Sequence, residues 1–249
     1  MSLPDLTDLE RFAFFFDFDG TLAEIAERPE DVEVTEAARA TIEALRSATH
    51  GAVAIITGRD IASIDHFLDP VHLPVAGVHG LTRRDANGQL HAPEIDTAAL
   101  ASIETALEPL VNGKSGLILE RKHGAVALHY RKRPELEGEC LTAMEDAARR
   151  ASNITIRRGK MVIEATGHSS NKGAAIGSFL GEVPFSGRVP VFAGDDLTDE
   201  DGFAFVNAQK GISIKVGCGD TEARYRVEDR EGLIDWLNGI IDHAGKTKS

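Results

Sequence analysis

The stretch FFFDFDGT, from Phe14 to Thr21, sets the first constraint on the fold. With Phe12 and Ala13 ahead of it, it forms a near-continuous apolar run, the pattern of a central parallel strand covered on both faces. Two acids, Asp17 and Asp19, stand at alternate positions at its end, with Phe18 between them. Burying a carboxylate without a partner costs several kcal/mol. The strand therefore predicts compensating groups brought in from elsewhere in the chain.

Strand and helix alternate through the rest of the first third. TEAARATIEALRSAT places Ala38, Ile42, Leu45 and Ala48 at helical spacing, AVAIIT reads as a second buried strand, DIASIDHFL as a short helix and LPVAGVHG as a third strand. Asn87-Gly88 marks a hairpin turn. The pattern then changes to a helix carrying Leu100, Ile103, Leu107 and Leu110, followed by two strands around a glycine turn in GLILERKHGAVALHYR. A helix opening at Pro134 and a further strand pair in NITIRRGKMVIEAT complete that pattern. A helix–hairpin–helix–hairpin order suits a small antiparallel sheet covered by helices on one face. From Ser170 the βα alternation resumes through SSNKGAAIGSFL, VPVFAGDD, ISIKVG and the closing EGLIDWLNGIIDH. The expectation is an α/β fold with a parallel-sheet core, residues 1–94 and 169–249, interrupted by an inserted α+β domain, residues 95–168.

At 249 residues and 42% hydrophobic content the chain can bury a core of that size. Its net charge of −13 argues against nucleic acid or an anionic membrane as partner, so a phosphorylated ligand would need a local cation or a metal. No apolar run approaches the ~20 residues that span a bilayer. The amino-terminal MSLPDLTDLERF is acidic and has no apolar signal core, so a cytoplasmic location is expected. Cys140 and Cys218 lie far apart without metal-ligand spacing, and both are expected to be small buried residues.

In open parallel sheets ligands bind at the carboxyl ends of strands, near the reversal of strand order. Four groups fall at predicted strand ends or helix starts: Asp17 with Asp19, Thr57 with Arg59, Lys172, and Asp195 with Asp196 and Asp199. If the two strands that end on acids are neighbours, their carboxylates converge, and Mg²⁺ is the common remedy for that repulsion. An aspartate in such a site can attack phosphorus and form an aspartyl-phosphate, given an in-line approach and charge neutralisation. The leaving alkoxide needs a proton donor, and two carboxylates in different environments can divide those roles. Thr57 and Lys172 supply a hydroxyl and an ammonium for phosphoryl oxygens. Each motif alone also reads as a turn, a loop, a solvated lysine or an acidic helix start. Their joint appearance in this order carries the signal.

Together, DFDGT, TGR, NKG and GDDLTDED resemble the four motifs of the haloacid dehalogenase (HAD) superfamily of phosphohydrolases. The resemblance implies a Rossmann-like core with a C2-type cap inserted between TGR and NKG. It implies Asp17 as nucleophile, Asp19 as general acid/base, and Thr57 and Lys172 as ligands of the transferring phosphoryl group. Asp195 would hold Mg²⁺ with Asp17 and the backbone carbonyl of Asp19, while Asp196 and Asp199 support the metal directly or through water.

In the inserted domain, strand alternation puts Glu120 and Lys122 on one face, His129 and Arg131 on a face of the next strand, and Glu164 on the last. A polar face with both charge signs suits a polyhydroxylated ligand, and equally an ordinary solvated sheet. GVHG at 77–80, ERKHGAVALHYR at 120–131, GKMVIEATG at 159–167, GDDLTDEDGF and VGCGDTEARYRV resemble signatures of the trehalose-6-phosphate phosphatase family. That resemblance implies hydrolysis of trehalose 6-phosphate, with Glu120, Lys122 and Glu164 on the sugar and His79, His129 and Arg131 nearby. Gly58 and Arg59 join the implied substrate-binding set, and functional coupling with a trehalose-6-phosphate synthase is the implied partnership. A phosphatase for another sugar phosphate, such as sucrose 6-phosphate, stays open on the core motifs. A phospho-accepting receiver module is disfavoured by the second acid, Asp19, and by the insertion.

Overall fold

Residues that alternate along the first strand belong to two different cores. In the computed structural model β1 (Phe12–Phe16) places Phe14 and Phe16 in one apolar cluster and Ala13 and Phe15 in another. The strand is therefore covered on both faces, as its composition predicts. The structure describes residues 3–24, 32–92, 96–122, 124–149, 151, 154–159, 161–166 and 171–247.

After β1 come α1 (Glu36–Ala48), β2 (Val53–Ile56), α2 (Ile61–Leu68), β3 (Val75–Gly77), β4 (Thr82–Arg84) and β5 (Leu90–His91). Then follow α3 (Thr97–Gly113), β6 (Ile118–Lys122), β7 (Ala125–His129), α4 (Glu137–Ala148), β8 (Thr155–Gly159) and β9 (Val162–Thr166). The chain closes with α5 (Lys172–Leu180), β10 (Val189–Gly194), α6 (Glu200–Ala208), β11 (Ile212–Val216), β12 (Tyr225–Val227) and α7 (Arg230–Thr247). It divides into two units, Met1–Ala92 with Ser170–Ser249, and Pro93–Ser169. Among the described residues no helix is long and apolar enough to cross a membrane.

The first unit carries an eight-stranded sheet ordered β12-β11-β10-β1-β2-β3-β4-β5. Pairing is parallel from β12 to β3, and β4 and β5 add an antiparallel edge. Strand order reverses at β1, so the switch point lies between β1 and β10. Phe14 and Phe16 share their cluster with Ile42 and Leu45 of α1, Ile64 of α2 and Leu233 and Leu237 of α7. Phe15 packs with Ile176 and Phe179 of α5 and Phe203 of α6. Thr35, Asp60 and Asn171 each accept a backbone N–H in the first turn of α1, α2 and α5, which supplies partners for otherwise orphaned donors.

The second unit is an antiparallel sheet ordered β6-β7-β9-β8. Val126, Leu128, Ile163 and Ala165 turn one face toward Leu100, Ile103 and Leu107 of α3 and Cys140 and Met144 of α4. This matches the expected sheet with helices on one side.

Three expectations need correction. LPVAGVHG does not continue as a strand: β3 stops at Gly77, and Val78–Gly80 form a 3-10 turn because the Val78 N–H donates to the carbonyl of Arg59 at 2.9 Å. Cys140 is buried as expected, but Cys218 is exposed, held in a loop between Gly217 and Gly219, both at positive φ. Arg131 lies beyond the end of β7, in an exposed turn, so strand alternation does not govern it.

Candidate active site

Phe16 of β1 pairs with Ala193 of β10, and the Asp17 N–H donates to the Ala193 carbonyl at 2.9 Å. The two strands therefore deliver Asp17 and Asp195 to the same end of the sheet, on either side of the switch point. Beyond β1 the alternation continues: Phe18 joins the cluster of Phe14 and Phe16. Asp17 takes the parity of Phe15, the side of α5 and α6.

Lys172, the first residue of α5, comes from that side. Its buried Nζ donates to Asp17 Oδ1 at 2.7 Å and to Asp199 Oδ1 at 2.6 Å. Asn171 fixes the turn by accepting the Ala174 N–H at 2.7 Å. Asp199 ends the 3-10 turn Leu197–Asp199, and its Oδ2 accepts the Asp196 N–H at 2.8 Å. Asp196 is exposed, and its Oδ1 accepts the Leu197 N–H at 2.5 Å. Buried Lys215, at the end of β11, donates from Nζ to the Asp195 carbonyl.

Burial pushes the Asp17 carboxyl well above the usual range; the Lys172 charge opposes that rise and the Asp199 charge adds to it. Asp195 is raised by burial as well, with Asp199 and Asp196 contributing. Burial would lower the Lys172 ammonium, but the charges of Asp17 and Asp199 outweigh it and hold it above its ordinary value. One lysine serves too many carboxylates, so the cluster has room for further positive charge.

The site meets a structural test for such a charge. Asp17, Asp195 and Asp199 each offer an oxygen within 4.8 Å of the others. Asp195 Oδ1 is buried with no hydrogen-bond partner. A Cβ on Gly20, whose φ is +77°, would stand 2.1 Å from Asp195 Oδ2, so only glycine admits that carboxylate. Hard oxygen donors packed in this way suit a divalent cation of the Mg²⁺ or Ca²⁺ type.

Thr57 is buried at the end of β2, its N–H donates to the Ala76 carbonyl at 2.9 Å, and its Oγ1 accepts the Arg59 N–H at 3.2 Å. Gly58 is exposed. Arg59 grips Asp19 with two bonds, Nε to Oδ2 at 2.8 Å and an Nη to Oδ1 at 2.7 Å. Asp19 thus pairs with Arg59 and is not one of the three clustered carboxylates. His79 sits in the 3-10 turn after β3, but its side chain lies outside the described residues, as does that of Lys122 on β6.

In the second unit Glu120 pairs across to Ala127, Ala127 to Glu164, and Glu164 to Arg157. Directly opposed residues of antiparallel strands share a face, so Glu120, Glu164 and Arg157 line the face away from α3 and α4. His129, diagonal to Glu120, meets Glu120 Oε2 through Nε2 at 2.8 Å.

A family model described as trehalose-phosphatase matches residues 15–231. The chain belongs to the trehalose-phosphatase family. It is 40% identical over 237 residues to the trehalose-6-phosphate phosphatase of Escherichia coli K12, covering 95% of this chain and 88% of that protein. Its fold is similar to that of Aspergillus fumigatus trehalose-6-phosphate phosphatase, with a TM-score of 0.78, 23% identity and 94% and 93% of the two chains covered. A Bacteroides thetaiotaomicron phosphatase of the HAD superfamily shares the fold at a TM-score of 0.65 and 13% identity, covering 92% and 94%.

Within this trehalose-phosphatase fold, two residues have no short motif to mark them, Lys215 next to Asp195 in the first unit and Arg157 opposite Glu164 in the second. Lys215 alternates with Ser213 along β11, and the alternation of ISIKVG gives no sign that it reaches the Asp195 carbonyl. Arg157 follows from register alone: alternation places it on a face with Thr155, and only the pairing of β8 with β9 aligns it with Glu164.

Proposed function

We propose that this chain hydrolyses trehalose 6-phosphate to trehalose and phosphate, with Asp17 carrying the phosphoryl group between two displacement steps. The observation that carries the reading is the buried Lys172 bridging Asp17 and Asp199 beside an orphaned Asp195 oxygen, at the switch point of the sheet.

An Asp17 oxygen attacks phosphorus, the bond from phosphorus to the sugar 6-oxygen breaks, and Asp19 gives that oxygen a proton. Asp19 then takes a proton from water, the water oxygen attacks phosphorus, and the bond to Asp17 breaks to release phosphate. Lys172 and the Thr57 hydroxyl hold phosphoryl oxygens through both steps, where fixed donors cost no reorganisation. Mg²⁺, held by Asp17, Asp195 and the Asp19 carbonyl with support from Asp199 and Asp196, would neutralise phosphoryl charge. Because Asp17 and Lys172 are nearly closed to solvent, their contacts are stronger than they would be in water.

Glu120, Lys122 and Glu164 are proposed to take sugar hydroxyls, with His79, His129, Arg131 and Gly58 completing the substrate set. The Glu120–His129 pair offers acceptor and donor on one strand-to-strand surface, which supports recognition of a polyol. Functional coupling to a trehalose-6-phosphate synthase, which makes this substrate, belongs to the same reading.

Phosphate release from a panel of sugar phosphates, with Mg²⁺ and with EDTA, tests it. Trehalose 6-phosphate is expected to be the preferred substrate, with turnover lost in EDTA and restored by Mg²⁺. Preference for sucrose 6-phosphate or glucose 6-phosphate, or full turnover in EDTA, contradicts it.

A further inference from the structure

Arg59 reads from sequence as a substrate-binding residue, yet its guanidinium is built into the protein. Nε and one Nη hold the two oxygens of Asp19 at 2.8 and 2.7 Å, the side-by-side geometry that only arginine provides. The same guanidinium lies 4.9 Å from the ring centroid of Phe67 and 5.8 Å from that of Phe18, within cation–π reach. Those two rings stack on each other at 5.8 Å. Phe18 is the buried residue between Asp17 and Asp19, so the fork rests on the strand end that carries both acids.

Its main chain is held as firmly. The Arg59 carbonyl accepts the Val78 N–H at 2.9 Å, and Val78 adopts φ +50°, a conformation β-branched residues avoid. A Cβ on Gly77 would stand 2.7 Å from the Arg59 carbonyl oxygen, so GVHG needs its first glycine in order to close on this loop. The side chain of Arg59 is 15% exposed while that of Asp19 is 37% exposed. The holder is shut in and the held carboxylate is open.

We propose that Arg59 is a positioning residue that acts on the reaction through Asp19. Its fork fixes the plane and direction of the Asp19 carboxylate and keeps it apart from the Asp17–Asp195–Asp199 cluster. GVHG fixes Arg59 in turn. The inference rests on Asp19 being the group that moves protons in the phosphatase reaction.

A double-mutant cycle on p-nitrophenyl phosphate separates this role from substrate binding. The ester carries no sugar, and its good leaving group makes any loss report Asp19 acting on the attacking water in the second step. Arg59→Ala is expected to lower kcat about 100-fold and Arg59→Lys about tenfold, with KM within about threefold, losses in the range of general acid–base contributions. In an Asp19→Ala background either substitution is expected to change kcat by less than about twofold. Arg59→Lys keeps the stem and the charge without the fork, so it completes the cycle alone if Arg59→Ala does not fold. A raised KM at unchanged kcat, or the full loss repeated in the Asp19→Ala background, overturns the inference and leaves the phosphatase reading standing. Wild-type turnover in Asp19→Ala removes Asp19 from its proton-transfer role and overturns the inference with it.

Discussion

The side chains of Asp17, Lys172 and Asp199 are no more than 7% exposed, whereas Glu120 and His129 on the sheet of the second unit stand 48% and 33% exposed. Both regions hold a carboxylate at hydrogen-bond distance from a side-chain nitrogen, yet the pairing means different things. In the first, Asp17 and Asp199 have left water and share one cation, so removing Lys172 strands their charge at about 3–5 kcal/mol. In the second, water competes for both members, and such a pair is worth about 0–1 kcal/mol. Rigid, buried charge suits the bond-making step, where groups must be in place before the substrate arrives. Exposed charge on a sheet exchanges readily between water and sugar hydroxyls. The contrast predicts that substitutions in the first region remove chemistry on every substrate, and that those in the second change which substrate is used.

The largest effect is expected at the buried region. Asp17→Asn, close to isosteric, is expected to lower turnover at least about 10⁴-fold on every phosphate ester, the scale seen when a nucleophile is removed, while the urea midpoint stays near wild type. Near-normal rates would remove Asp17 from its role. Lys172→Ala comes next. Turnover should fall about 10³-fold, and urea unfolding should report a loss of about 3–5 kcal/mol as Asp17 and Asp199 face each other unpaired. An unchanged midpoint would show that the cluster is less closed than the geometry indicates. The smallest effect belongs to the exposed region. Glu120→Ala is expected to cut kcat/KM on trehalose 6-phosphate about 10- to 100-fold, the worth of one or two hydrogen bonds to a charged group. Turnover of p-nitrophenyl phosphate should stay within about twofold, and stability within about 1 kcal/mol. Equal losses on both substrates would erase the division between the regions.

How much of this was legible in the sequence differs between the regions for a physical reason. The buried site is written in short order: an apolar strand must end somewhere, and DFDGT and GDDLTDED state where and on which residues. Apolar composition marked β1 and β10 as central strands, but their adjacency was only a condition of the reading, and the parallel pairing of the two strands meets it. What the motifs left unstated were partners chosen by rotamer and loop geometry, such as the fork of Arg59 on Asp19 and the reach of Lys215 to the Asp195 carbonyl. The sheet face was half legible. Alternation placed Glu120, Glu164 and His129, but strand ends decide where alternation stops, so Arg131 falls past β7. Register between strands, which single-sequence patterns do not specify, was needed to bring Arg157 opposite Glu164. β12 is three residues long, Tyr225–Val227, too short for a period of two to stand out.

The most direct test of the central claim, that the carboxylate buried at the switch point carries the phosphoryl group, is acid-quenched rapid mixing with trehalose 6-phosphate followed by peptide mass spectrometry. The account predicts a transient phosphoryl adduct on the peptide containing Asp17, formed before phosphate is released and absent in Asp17→Asn. Phosphate release at the full rate with no adduct on Asp17 at any quench time would contradict it.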